Sequence, residues 1–263
     1  MKKISMQGAN QEITFEEAFN QFIRVCKTKN LAEDTIKYYE RCRNSFVEYF
    51  DQNELCSEID HDTYLGFIEH LQGKDIKDVS INTNLRGIRT IFNFCIDKKY
   101  MKHFKIQLMK IDKTVKEVYT DDELNKLLRK PDLKKCSFAE YRSWVMSNFV
   151  LGTGQRISSM LNIKIGDVFL EQREVIIRKA KGRKQLIIPL STALCKILEE
   201  YFQYRGDDKD GYLFPNQFGK KFSRSGAEDA IADYNNARGV SATSIHRYRY
   251  QNLNKIQTFY QIP

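Results

Sequence analysis

Apolar residues recur at three- and four-residue spacing through the first third of the chain, the signature of helices with one buried face. Phe15, Ala18, Phe19, Phe22, Ile23 and Cys26 make one such face, and Thr14 with Glu17 forms a T-x-x-E capping box ahead of it. After Asn30 the stretch LAEDTIKYYERCRNSFVEYF repeats the spacing with Ile36, Tyr39, Cys42, Phe46 and Phe50. Asp60 is placed to cap a third helix burying Leu65, Ile68 and Leu71. Ser80 is placed to open a fourth, with Ile81, Leu85, Ile88, Ile91, Phe92 and Cys95 inward. Four amphipathic helices with short connections predict a compact helical domain.

The periodicity loosens between Tyr100 and Val118, where Lys102, His103, Lys105, Lys110, Lys113 and Lys116 punctuate the chain. This stretch suits either a basic interdomain linker lying along phosphates or an ordinary solvated connection. Thr120 and Glu123 form a second capping box before Leu124, Leu127 and Leu128. A buried helix is predicted from about Tyr141 to Leu151, broken by Gly152 and Gly154 just before Arg156. VIIR and QLIIPL, joined by KAKGRK, read as the strands of a hairpin, and helices are expected at Thr192–Tyr204 and around Arg224–Asn236.

Composition narrows the classes. A chain of 263 residues with 41% hydrophobic and 29% charged residues has the balance of a soluble globular protein able to bury a real core. No apolar run is long enough for a membrane helix, and the N-terminal MKKISMQGANQEI lacks the apolar core of a secretory signal, so a cytoplasmic protein is expected. Six scattered cysteines without a C-x-x-C pair, and four dispersed histidines, predict reduced buried thiols and no metal centre. The net charge of +9 favours an anionic partner, nucleic acid before membrane.

Three separated segments carry candidate phosphate chemistry. Arg156 follows a TG turn and precedes Ile157, Met160, Leu161 and Ile163, spaced as the inward face of a helix; near such a start, backbone N–H groups and the dipole favour an anion. Its guanidinium presents a planar fork to two phosphate oxygens, or serves as a structural ion-pair partner. The KAKGRK turn projects Lys179, Lys181, Arg183 and Lys184, a charge cluster that suits phosphate neutralisation and proton donation, or simply a wet turn. His246 and Arg249 stand one helical turn apart, so both can face one site.

The order of arginine, lysine hairpin and H-x-x-R resembles the tyrosine recombinase, or phage integrase, family. GTGQRISSMLNIKIGDV is similar to its first arginine box, KGRKQLIIPL to its lysine hairpin and YLFPNQFGKKFS to the stretch before the H-x-x-R helix. YTDDELNKLL resembles the opening of its catalytic domain, and residues 13–100 its core-binding domain, so the resemblance spans nearly the whole chain. It implies a mainly α (α+β) fold: a helical SAM-like core-binding domain over 1–101, a basic linker over 102–118, and over 119–263 a mixed α/β catalytic domain with a small antiparallel sheet.

The resemblance implies that Arg156 and Arg249 clamp the scissile phosphate, that Lys181 (or Lys179, if the hairpin register is shifted) protonates the leaving 5′-hydroxyl, and that His246 assists as acid/base or phosphate ligand. A tyrosine would attack to give a 3′-phosphotyrosyl linkage without ATP, metal or other cofactor. Double-stranded DNA is the implied partner, enclosed by two domains as a C-shaped clamp with four protomers in a synapse and no membrane involved. Arg86, Arg89, Lys110 and Lys113, with Lys179, Arg183 and Lys184, are the implied DNA contacts.

Several positions depart from the pattern: Gln155 where an apolar residue is usual, Ser159 where an acid is frequent, Tyr248 for the customary leucine, and Tyr250 after Arg249. Only YQNLNKIQTFYQIP follows Arg249, which leaves no room for the family's further helices with a second His or Trp and the nucleophilic tyrosine. Tyr260 is the remaining local stand-in, its alternative being a half-exposed aromatic at a frayed end. The expectation is therefore a truncated or frameshifted recombinase unable to complete cleavage alone, or a non-catalytic DNA-binding remnant that occupies recombination sites or inhibits intact protomers.

Overall fold

The structure, a computed structural model, describes residues 12–112, 118–178, 185–241 and 244–260, the last eight of these by backbone only. The chain divides into two compact units, Met1–Lys113 and Thr114–Pro263. It is mainly helical with one small antiparallel sheet.

The first unit holds α1 (Phe15–Thr28), α2 (Glu33–Val47), α3 (His61–Gln72) and α4 (Asp78–Asp97). Both bonds of the Thr14–Glu17 box form, and the six apolar positions expected on α1 are all buried. On α2, Cys42 and Phe46 are buried, and Phe50 is buried just beyond its end. Asp60 caps α3 by accepting from the Thr63 N–H at 2.8 Å, but the inward face is Tyr64, Phe67 and Leu71. Leu65 is 42% exposed, against expectation. The large rings decide the rotation: Phe67 stacks edge-on to Phe46, and Tyr64 lies against Phe92 and Phe104. The fourth helix begins two residues earlier than expected, Ser80 lying inside its first turn with its N–H donating to the Lys77 carbonyl, and its expected inward face is buried throughout. Gly87 lets α4 approach α2, because a Cβ there would come within 2.8 Å of the Cys42 Cβ.

Residues 102–112 form no helix or strand, yet those up to Met109 dock on the unit. Phe104, Ile106, Leu108 and Met109 pack against its core while Lys102, Lys105 and Lys110 face outward. The Tyr64 hydroxyl donates to the Gln107 carbonyl (2.6 Å), and the Asn82 amide brackets the Met109 backbone at 2.8 and 3.0 Å. An alternation of period two, hidden by the lysines, accounts for this docking.

The second unit contains α5 (Asp121–Leu128), α6 (Phe138–Thr153), α7 (Ile157–Met160), strands β1 (Val168–Phe169), β2 (Glu174–Ile177) and β3 (Leu186–Pro189), then α8 (Thr192–Arg205), α9 (Arg224–Ala237) and α10 (Ile245–Tyr260). The Thr120–Glu123 box forms at the start of α5. The hairpin pairs Val175 with Ile188 and Ile177 with Leu186; β1, too short for a periodicity signal, adds a third antiparallel strand. α6 is the centre of the unit, buried on nearly every side and packed by α5, α8, α9 and α10. Gly152 stays helical, and the break comes only at Gly154.

Candidate active site

The loop leaving α6 sets the first arginine. Gly154 adopts a left-handed conformation (φ 63°), and its N–H closes the helix on the Val150 carbonyl at 2.9 Å. A Cβ at this position would lie 2.6 Å from the Asn252 Oδ1, so backbone shape and neighbour both require glycine. Arg156 follows as the N-cap residue of α7, its side chain exposed. Ile157, Met160, Leu161 and Ile163 are buried as their spacing suggests, but the helix is a single turn. The chain is drawn away by backbone bonds to residues 211–213: Leu213 N–H to the Ile163 carbonyl (2.8 Å) and Ile165 N–H to the Gly211 carbonyl (2.9 Å). A one-turn helix adds little dipole, so the attraction for an anion expected at this helix start rests on the guanidinium itself.

α10 brings the second arginine. Ile245 and Tyr248 are buried, which turns His246 and Arg249 onto the adjoining, half-buried face. Arg249 Nε–H donates to the Gly154 carbonyl at 2.8 Å, and Asn252 Nδ2 donates to the Leu151 carbonyl at 2.7 Å. The end of α6 is thus capped by side chains of α10, and the turn carrying Arg156 is fastened to the helix carrying Arg249. The Arg249 pKa is lowered, first by burial and then by the nearby positive charge of Arg156. Neither arginine forms an ion pair with a described residue. Two guanidiniums held close without a carboxylate between them make a local positive field suited to a shared anion.

The remaining candidates are placed as follows. Lys179, Lys181, Arg183 and Lys184 at the hairpin tip lie outside the described residues, as does Lys113. The hairpin's base is described: Arg178 pairs with the buried carboxylate of Asp167 (2.5 Å), which also accepts the Lys164 N–H at 3.0 Å. Arg86 and Lys110 are exposed and Arg89 half-buried in the first unit. The Tyr260 side chain lies outside the described residues. Tyr248 has no access to a substrate: it is fully buried and its hydroxyl donates to the Asn235 Oδ1 at 2.9 Å. Sequence reasoning did not find Asn252 or Asn235. Asn252 falls one turn after Tyr248 and Arg249, a signal readable only once α10 is known to continue past the H-x-x-R.

Residues 117–255 match the phage integrase family and residues 14–116 the phage integrase SAM-like domain. Tyrosine recombinase XerD of Staphylococcus aureus (strain MW2) is 30% identical over 223 residues, covering 80% of this chain and 73% of its own length. Tyrosine recombinase XerC of Roseiflexus castenholzii is 24% identical over 247 residues, covering 89% and 78%. Among solved structures, a lambda integrase dimer bound to a COC′ core site superposes with a TM-score of 0.72 at 13% identity, over 92% of this chain and 89% of the other. The Tn1549 transposon integrase in complex with circular intermediate DNA does so with a TM-score of 0.74 at 16% identity, over 95% and 89%. Helical bundle, small sheet and family match agree, and the chain belongs to the phage integrase family of tyrosine recombinases.

Proposed function

We propose that this protein is a site-specific DNA recombinase that binds duplex DNA and acts in the integration or excision of a mobile element. The observation that carries the proposal is the convergence of Arg156 and Arg249, fastened through the Gly154 carbonyl and free of any acidic partner among the described residues. A scissile phosphate bound there has its equatorial oxygens held by two planar forks, which stabilise the added charge of a pentavalent transition state. His246, one turn before Arg249, completes the cradle as ligand or proton carrier. Lys181 delivers the proton to the departing 5′-oxygen, while a tyrosine, unassigned here, forms the 3′-phosphotyrosyl bond and so conserves the energy of the broken ester. Neither ATP nor metal has a step in this sequence. Arg86, Arg89, Lys110, Lys113 and the hairpin lysines neutralise flanking phosphates of the duplex. Likeness to the DNA-bound integrase of a transposon supports the mobile-element setting, and the Xer relatives support recombination in general.

The test begins with a duplex selected by the protein from a random pool, then incubated with it and denatured. A protein–DNA species that survives denaturant is expected, lost in Arg156→Ala and in Arg249→Ala while most binding remains. Binding without any such species would reduce the function to DNA occupancy. Loss of all binding in either folded variant would contradict the separation of clamp from catalytic centre.

A further inference from the structure

A buried polar chain runs beneath the face of α10 that carries His246 and Arg249. The Tyr248 hydroxyl donates to Asn235 Oδ1 at 2.9 Å, and Asn235 Nδ2 donates to the Tyr119 hydroxyl at 2.9 Å. Tyr119 in turn donates to the Ser244 carbonyl at 3.3 Å, at the residue before α10 begins. The rings of Tyr119 and Tyr248 pack at 4.7 Å between centroids. All three side chains are essentially inaccessible, with Tyr248 and Asn235 at 0% exposure and Tyr119 at 2%. The chain thus joins the entry to the second unit, α9 and both the approach to α10 and its first turn.

We infer that Tyr248 is a positioning residue: its hydroxyl fixes the rotation of α10 and thereby the aim of Arg249 and His246 at the phosphate. An apolar side chain at 248 would fill the same space, but apolar contact is non-directional and tolerates rotation of the helix about its axis. A buried hydrogen bond does not, because turning the helix would pull the Tyr248 hydroxyl out of line with the Asn235 Oδ1. Tyr248 precedes Arg249 directly, so any rotation that moves one moves the other, and the Arg249–Gly154 bond is the first contact to suffer. The phosphate-directed part of this role rests on the proposed recombinase reading; the effect on Arg249 does not.

The test uses the full chain with isotope-labelled arginine and histidine, and inorganic phosphate as probe. Tyr248→Phe keeps the ring and removes only the hydroxyl. Hydrogen exchange at Arg249 Nε–H is expected to quicken about tenfold, the scale of one lost buried hydrogen bond, while the backbone amides of α6 keep their protection. The phosphate-induced shift of the His246 imidazole is expected to shrink with it. Unchanged exchange at Arg249 Nε–H, or equal loosening of α6, would make Tyr248 an ordinary core residue and overturn the inference. If Tyr248→Phe fails to fold, Tyr119→Phe, which shortens the network from its other end, should move the same signal in the same direction, and no movement there overturns it as well. Should the wild-type His246 signal ignore phosphate altogether, the recombinase reading of the site fails, yet the exchange comparison still decides the role of Tyr248.

Discussion

Gly154 is the residue on which the candidate site turns. It stops α6, points the next residues toward Arg156, and offers its carbonyl to Arg249. Alanine there meets a left-handed backbone and the Asn252 side chain together. Gly154→Ala is expected to cost about 1–3 kcal/mol in urea denaturation of the full chain. Asn252→Ala removes the clash but also the bond to the Leu151 carbonyl, so the double variant should be less destabilised than the sum of the two. Strict additivity would show that the contact between them is not what constrains the turn. Some of this was legible beforehand: the TG turn and the H-x-x-R marked Arg156, His246 and Arg249 by residue type and order. The resemblance implied that Arg156 and Arg249 meet at one phosphate, but not what fastens them, because the Gly154 carbonyl and Asn252 announce no partner in one dimension.

At the scale of elements, periodicity located the helices well where one face is apolar and failed where two faces compete. On α3 the chain offers both a Tyr64–Phe67–Leu71 face and a Leu65–Ile68 face, and ring packing against α2 and α4 selects the first. α7 fell short because its continuation is claimed by backbone pairing with residues 211–213, a long-range demand that local spacing cannot carry. The second unit also encloses several tyrosines whose pKa values burial raises, Tyr119 to about 12 and Tyr248, Tyr201 and Tyr234 further in the same direction. In the unfolded chain tyrosine ionises near about 10. The folded state therefore holds protons that the unfolded state releases, and this stabilisation is complete below about pH 10 and lost as pH climbs toward 12. Denaturation midpoints should fall steeply across that window. Midpoints that stay level across that window would contradict the burial of these four tyrosines. Tyr119→Phe should flatten its share of the slope.

For the whole molecule, the sequence carried the fold class and the family because both are distributed over many positions: capping boxes, amphipathic faces, the hairpin and the ordered cations. What it did not carry is the set of contacts that fasten the turn of Arg156 to the helix of Arg249. Whether Arg156 and Arg249 serve one phosphate, as proposed, is read most directly from the salt dependence of duplex binding. Log affinity falls against log salt with a slope of about 0.9 per neutralised phosphate of B-DNA. On a duplex selected by the protein, Arg156→Ala and Arg249→Ala should each weaken binding yet leave the slope nearly unchanged, since the other guanidinium still neutralises the shared phosphate. The double variant should then lose about 0.9 of slope at once. A loss of about 0.9 in each single variant and about 1.8 in the double would place the two arginines on separate phosphates and contradict the shared site.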